Sequence, residues 1–276
     1  MARGGGAFLT SSTPDALWST ASARRLRPTA VGCSGIRVDG RLTGLTLSVP
    51  VGMRLLLVGD PPTAASALIR VLAGLVRASA GRMRLAGLDD PSIDGWGRRV
   101  AYLGPRAGIR PWMTPREVLS LATDLLGLSD PDAERRIARA LAWTRIDPGA
   151  AERAVRHGGH ALAERTALAA ALVGDPEVLL LEDPLRSVAL HERTRLLRLP
   201  GPRRTVILAS RYPEREAGLF SHVALVRARG LALLAPMAEL ESAGLPLSAD
   251  GIGALARRIP RASGPVPPLH EAARAQ

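Results

Sequence analysis

Residues 59–67, Gly-Asp-Pro-Pro-Thr-Ala-Ala-Ser-Ala, join an apolar run to a helical pattern. Where a buried strand turns into a helix, the chain offers backbone N–H groups to a phosphate. Residues 53–58 are nearly all apolar, as suits a strand buried on both faces, and Leu68, Val71, Leu72 and Leu75 then recur at helical spacing. Pro61 and Pro62 lack amide hydrogens, so such a cradle would be short of donors. A second candidate is Glu182-Asp183, two acids closing the apolar run 178–181. Asp183-Pro184 also has the form of a helix N-cap followed by proline at the first helical position. A third is Gly158-Gly159, leading into a helical pattern: its N–H groups would suit an anion, with charge from His157 or His160, although a plain turn into a helix accounts for the same residues.

The elements that position these residues alternate between strand and helix. Leu45, Leu47 and Val49 belong to short alternating segments expected as antiparallel strands ahead of residue 52. Residues 82–85 and 100–103 read as further strands. Thr114-Pro115-Arg116-Glu117 carries the signs of a capping box opening a helix to about Leu126, and Asp130-Pro131 starts another through Ile137, Leu141 and Trp143. A helix over 161–173, a strand at 178–181, a helix over 188–197 and a strand at 205–209 follow. Strands alternating with helices imply a parallel sheet covered on both faces. Residues 213–220 suggest a short helix, and 222–226 and 231–234 a closing pair of strands.

Composition narrows the classes. The chain has 276 residues and 46% hydrophobic content, enough for one substantial core, and a net charge of +12. All 37 basic residues are arginine, asparagine is absent and the sole glutamine is Gln276, a skew that matches a GC-rich coding sequence. The arginines are scattered and never exceed a pair, which favours a solvated face over a polyanion site. Only eight aromatics are present, few for stacking on bases. The single Cys33 has no internal disulfide partner and fits a reducing compartment. No apolar run approaches the ~18 residues of a membrane span, and the N-terminus lacks the apolar core of a secretory signal. Residues 1–34 read as a flexible arm, with a transit-peptide likeness weakened by poor amphipathic periodicity, and 246–276 as a helix and a loose tail.

The order of parts resembles the nucleotide-binding subunit of an ATP-binding cassette (ABC) transporter over roughly residues 36–240. LLLVGDPPTAASALIRVLAGLVRASAGRMRLAG is similar to that family's first strand, phosphate loop, helix and hairpin. RRVAYLGPRAGIRPWMTPREVL is similar to its middle strand, Q-loop and first subdomain helix, ALVGDPEVLLLEDP to the end of its signature helix and Walker B strand, and TVILASRYPEREAGLFSHVALVRARGLALLAP to its switch strand, helix and closing hairpin. The resemblance implies a P-loop NTPase-like three-layer α/β sandwich with a parallel core sheet, N-terminal antiparallel strands and a helical subdomain inserted at about 108–160, within a cassette spanning 35–245. It also implies ATP and Mg²⁺ as ligands, a partner ATPase subunit, a membrane permease, and a place at the inner face of the cell membrane.

Residue by residue, the family's functional positions are altered. Gly59, Thr63, Ala64, Ala65, Ser66 and Ala67 fall on the nucleotide-binding loop, but Ala65 stands where the resemblance expects lysine, a loss of charged hydrogen bonding worth ~1.5 to 3 kcal/mol. Ser66 keeps the metal-ligand position. The Q-loop glutamine falls near Pro105. The signature falls on Gly158, Gly159, His160, Ala161 and Leu162, or on 156–160 in a register shifted by two, and lacks its serine either way. Glu182 takes the metal-binding acid's place and Asp183 that of the catalytic acid, their order exchanged, and a shift of roughly 1 Å in such a group costs ~10²-fold. The D-loop aspartate falls on Ala189 and the switch histidine on Arg211, and no aromatic lies between 35 and 52 to stack on adenine. These changes argue against ATP and Mg²⁺ and for a subunit with ATP hydrolysis lost or very weak, paired with an intact ATPase subunit on a permease. Two alternatives are a weak ATP-binding subunit using Arg54, Arg70 or Arg211 in place of the lysine, and a basic nucleic-acid-binding regulator on the same scaffold.

Overall fold

The structure is a computed structural model and describes residues 28–106, 108–199, 201 and 203–258. Strand β1 (Thr29–Val38) pairs antiparallel with β2 (Leu42–Pro50) on one side and with β4 (Ala80–Leu85) on the other. Val31 and Cys33 are buried, so β1 begins inside the stretch expected as a free arm. The first 27 residues of that arm, and the tail from 259 onward, lie outside the described residues.

The main sheet has the order β5-β6-β7-β3-β8-β9. Its strands β5 (Val100–Leu103), β6 (Val178–Glu182), β7 (Thr205–Ala209), β3 (Arg54–Asp60) and β8 (His222–Arg227) run parallel, and β9 (Gly230–Pro236) closes antiparallel against β8. Alternation along the strands divides their side chains between two layers. Leu55, Leu57, Val178 and Leu180 pack with α1 (Pro62–Leu72) and the antiparallel sheet. Leu56, Val58, Leu179 and Leu181 pack on the opposite face with α7 (Leu190–Leu197), α8 (Met237–Ser242) and α9 (Ala249–Arg258).

A third cluster lies among helices inserted between β5 and β6. After the short α2 (Trp96–Arg99) come α3 (Pro115–Leu125), α4 (Asp130–Thr144), α5 (Pro148–Ala151) and α6 (Gly159–Val173), joined through Leu119, Ile137, Leu141, Ala151 and Val173. The capping box is present: Glu117 N–H donates to Thr114 Oγ1 at 3.1 Å, and Thr114 N–H to Glu117 Oε2 at 2.8 Å. The Asp183-Pro184 expectation is overturned. The next helix, α7, starts at Leu190 with Ala189 before it, while Asp183 and Leu185 hold left-handed backbone at φ 41° and 55°. For a leucine that conformation is strained, and contacts from distant elements hold the loop in it.

Candidate functional site

The parallel strands deliver the candidate residues to one edge of the sheet. β3 ends in Gly59-Asp60, and α1 begins at Pro62. Gly59 is required by this turn itself: a Cβ there would lie 2.8 Å from the carbonyl oxygens of Pro61 and Pro62 and 2.9 Å from the Ala65 nitrogen. The turn offers little to a phosphate. Pro61 and Pro62 have no N–H, Ala64 N–H donates to Pro61 O at 2.9 Å, and Thr63 is exposed. Ala64, Ala65 and Ala67 are buried in the main core, Ala65 at 2% exposure, so its methyl points into packed hydrocarbon. Ser66 is half-buried on α1, one turn before Arg70 and on the same helix face.

Arg70 uses that face to reach β6. Its Nε donates to Glu182 Oε2 and its Nη2 to Glu182 Oε1, both at 2.8 Å. Tyr102 Oη donates to Glu182 Oε2 at 2.6 Å. Glu182 is 3% exposed. The bond to Glu182 raises the Arg70 pKa above its ordinary value, and burial followed by the same carboxylate pushes the Tyr102 phenol up. Gly104 makes room for the phenol, because a Cβ there would lie 2.7 Å from Tyr102 Oη.

Asp183 is held equally firmly. Its Oδ1 accepts the Arg211 backbone N–H at 2.9 Å, and its Oδ2 accepts Arg211 Nε at 2.5 Å, a pairing that raises the Arg211 pKa. The loop beyond is tied by Arg193, whose Nε donates to Pro184 O at 3.1 Å while its Nη1 and Nη2 grip Glu216 at 2.9 and 2.6 Å. Ser210 Oγ adds a bond to Glu216 at 3.2 Å. Arg193 and Glu216 are both buried.

A cavity of 1170 Å³ lies beside Asp183 and Glu216 and away from the phosphate turn. It is lined by Pro105, Gly159, His160, Asp183, Ser210 and Glu216 among others, and by none of residues 59–67. Gly158 and His157 instead line a hollow of 160 Å³ at the other side of the α6 start. Structure thus joins Glu182 with Arg70 and Asp183 with Arg211, places His160 and Asp183 in the lining of one cavity, and leaves Ala65 and Ala67 in the core. Arg54 does not belong to this group. It stands at the opposite end of β3, donating to Leu219 O at 2.8 Å and Leu197 O at 2.5 Å above the Phe220 ring, and burial lowers its pKa.

Tyr102 is absent from the sequence expectations. Its signal is the parallel register: Tyr102 lies opposite Leu180, so Glu182, two residues on, shares its face. Mg²⁺ fits this donor set poorly. The ion needs oxygen ligands at about 2.0–2.1 Å in an octahedron, and both Glu182 oxygens here accept from a guanidinium whose positive charge opposes a second cation. Among the described residues no group of three His, Cys, Asp or Glu side chains could hold a metal. Nor does any aromatic occur in β1 or β2 for a purine to stack on.

Comparison with known proteins places this architecture. Residues 42–186 match the family described as ABC transporter. A nickel import ATP-binding protein, NikO of Rhodobacter capsulatus, is 32% identical over 218 residues, 72% of this chain and 84% of that protein. The sn-glycerol-3-phosphate import ATP-binding protein UgpC 2 of Rhizobium johnstonii is 31% identical over 153 residues, covering 55% of this chain and 44% of the relative. The chain thus spans less than half of that relative's length. Among solved structures, cbiO1 from Clostridium perfringens, part of the ABC transporter complex cbiONQ, is similar with a TM-score of 0.67 and 16% identity, covering 78% of this chain and 91% of that one. The dimeric, post-hydrolysis ATP-binding cassette MJ0796 bound to ADP and Pi gives 0.65 and 13%, with 75% and 98% covered. At these identities the structural likeness establishes the fold.

Proposed function

Because the chain belongs to the ABC transporter family, we propose that it is an ATP-binding-subunit-like protein with degenerate site motifs, acting as a catalytically impaired partner of an intact ATPase subunit on a membrane permease. The observation that carries this reading is Ala65. The residue expected to bring positive charge to the β- and γ-phosphates is a methyl group packed in the core, on a turn whose two prolines have no N–H to give. The family binds ATP, typically with Mg²⁺, and in this chain Gly59, Thr63, Ala64, Ser66 and Ala67 keep the path of the loop without its charge. Glu182 and Asp183 take the places of the metal and catalytic acids, Gly158, Gly159 and His160 that of the signature, and Arg211 that of the switch.

Residues 35–245 form the cassette in this reading, with the helical subdomain at about 108–160. Among the described residues no helix is long and apolar enough to cross a membrane, which accords with attachment through a permease at the inner face of the membrane. The relatives named as import proteins support an importer. Their stated cargoes, nickel and glycerol phosphate, differ, so no cargo carries over.

Affinity purification from the native host tests the partnership: an intact ATPase subunit and a permease should come with the chain, and recovery of the chain alone counts against it. Purified protein should hydrolyse Mg-ATP far more slowly than an intact cassette. Hydrolysis at comparable rates, abolished by Asp183→Ala, would end the impaired-partner reading.

A further inference from the structure

We propose that Arg70 occupies the place of the divalent cation beside Glu182, so that this site is a metal-free, internally neutralised clasp joining α1, β5 and β6. The inference rests on the assignment of Ser66 and Glu182 to the metal positions made above. Its geometric basis is independent of any phosphate chemistry. The planar guanidinium meets the carboxylate through two parallel bonds of 2.8 Å, the arrangement in which arginine pairs most firmly and specifically.

Three features make the guanidinium a substitute for a cation and not a chance surface pair. Glu182 is 3% exposed and would be an unpaired buried charge without it. Ser66 and Arg70 share one helix face, so the guanidinium rises over the side of α1 on which a serine-held ion would sit. Tyr102 completes the set by donating to Oε2, leaving the carboxylate with three donors and an outer side covered by Arg70. A divalent ion brought to these oxygens would meet the guanidinium charge within a few ångströms and would have to displace that side chain, which is 38% exposed, from both of its bonds. The neighbouring acid offers no refuge, since Asp183 is bound by Arg211 through two bonds. Two acids and two arginines thus cancel at this edge of the sheet.

The test is Mn²⁺ titration of the full chain followed by electron paramagnetic resonance, with thermal unfolding in Mg²⁺ or EDTA alongside. Wild type should leave the free-ion signal undiminished and unfold at the same temperature in Mg²⁺ and in EDTA. Arg70→Met, which uncovers Glu182, should bind Mn²⁺, lose the free-ion signal and gain unfolding temperature in Mg²⁺. Adding Glu182→Gln should abolish both effects. Arg70→Gln, which keeps a donor to Glu182 but not the charge, serves the same comparison if Arg70→Met does not fold. Mn²⁺ binding by wild type that disappears in Glu182→Gln overturns the proposal, as does a folded Arg70 variant that binds no Mn²⁺. The outcomes separate from those for the partner role. Metal held by a wild type that hydrolyses no ATP ends this proposal alone, whereas hydrolysis in EDTA ends the impaired-partner reading alone.

Discussion

Restoring the missing lysine should not restore a phosphate grip. Ala65→Lys forces four methylenes and an ammonium into a position of 2% exposure in the main core. Overpacking alone costs about 1 to 3 kcal/mol, and a buried unpaired charge adds to it. Urea unfolding should therefore show a loss of at least about 2 kcal/mol, with no gain in binding of a fluorescent ATP analogue. A second prediction concerns Tyr102. Tyr102→Phe removes its hydrogen bond to the Glu182 carboxylate and should cost about 1.5 kcal/mol. Gly104→Ala should cost a similar amount, because its Cβ would lie 2.7 Å from the phenol oxygen and displace it. The added Cβ would also lie 3.0 and 3.1 Å from ring carbons that phenylalanine keeps, so the double variant should lose more than either single one but less than their sum; full additivity in unfolding free energies would refute the coupling. At this scale the sequence is an uneven guide. Ala65 and the paired acids are visible as departures from a familiar pattern, and Arg70 is visible as a nearby cation. Tyr102 is not, because its contact with Glu182 depends on the parallel register of strands 80 residues apart.

Elements were easier to read, for a physical reason. Apolar runs of strand length and 3.6-residue periods survive any change at a binding site, since they report burial in the sheet and its covering helices. The Thr114 capping box is entirely local and was legible in full. Thr114→Ala should cost about 1 kcal/mol and fray the start of α3, an effect visible as faster amide exchange at residues 116–118. The loop after β6 departs from the N-cap that Asp183-Pro184 offers because its conformation is not local, although the helix expected over 188–197 forms at Leu190–Leu197. Asp183 is drawn to Arg211, and Pro184 to Arg193. Local propensity favoured an N-cap, and tertiary hydrogen bonds prevailed. The buried Arg193–Glu216 pair should prove decisive for this loop. Glu216→Gln leaves a buried guanidinium unneutralised and should cost about 3 to 5 kcal/mol, whereas the double change Arg193→Met with Glu216→Leu should recover much of that loss. Chemical denaturation of the wild type and the two variants checks the ordering.

At the scale of the whole molecule, the +12 charge is carried by arginines distributed through the fold, many of them engaged in structure. Arg54, Arg70, Arg193 and Arg211 each hold carbonyl or carboxylate groups from distant parts of the chain. Composition alone reports an excess of charge, and the structure assigns part of it to internal ties. Because arginine stays protonated across the accessible range, these ties do not loosen with rising pH, and alkaline sensitivity must come from elsewhere. Two groups fit, the Tyr102 phenol and the Cys33 thiol, both pushed up by burial, and the lower of the two is Cys33. It is 2% exposed on β1, and burial pushes its thiol up from 9.0 to about 12, opposed by a backbone hydrogen bond at Leu47. The folded state therefore keeps a proton that the unfolded chain releases near pH 9. Stability from this group is complete below pH 9 and is lost as pH climbs toward 12, at up to ~1.4 kcal/mol per pH unit. Cys33→Ala should start lower, since a buried sulfur leaves a small void, yet decline less steeply over the same window. The difference between the two urea-derived stability curves isolates the thiol from every other titrating group. Parallel slopes from pH 9 to 11 would mean that the antiparallel sheet opens to solvent before the thiolate forms, and that β1 is not the rigid edge of the core its burial implies.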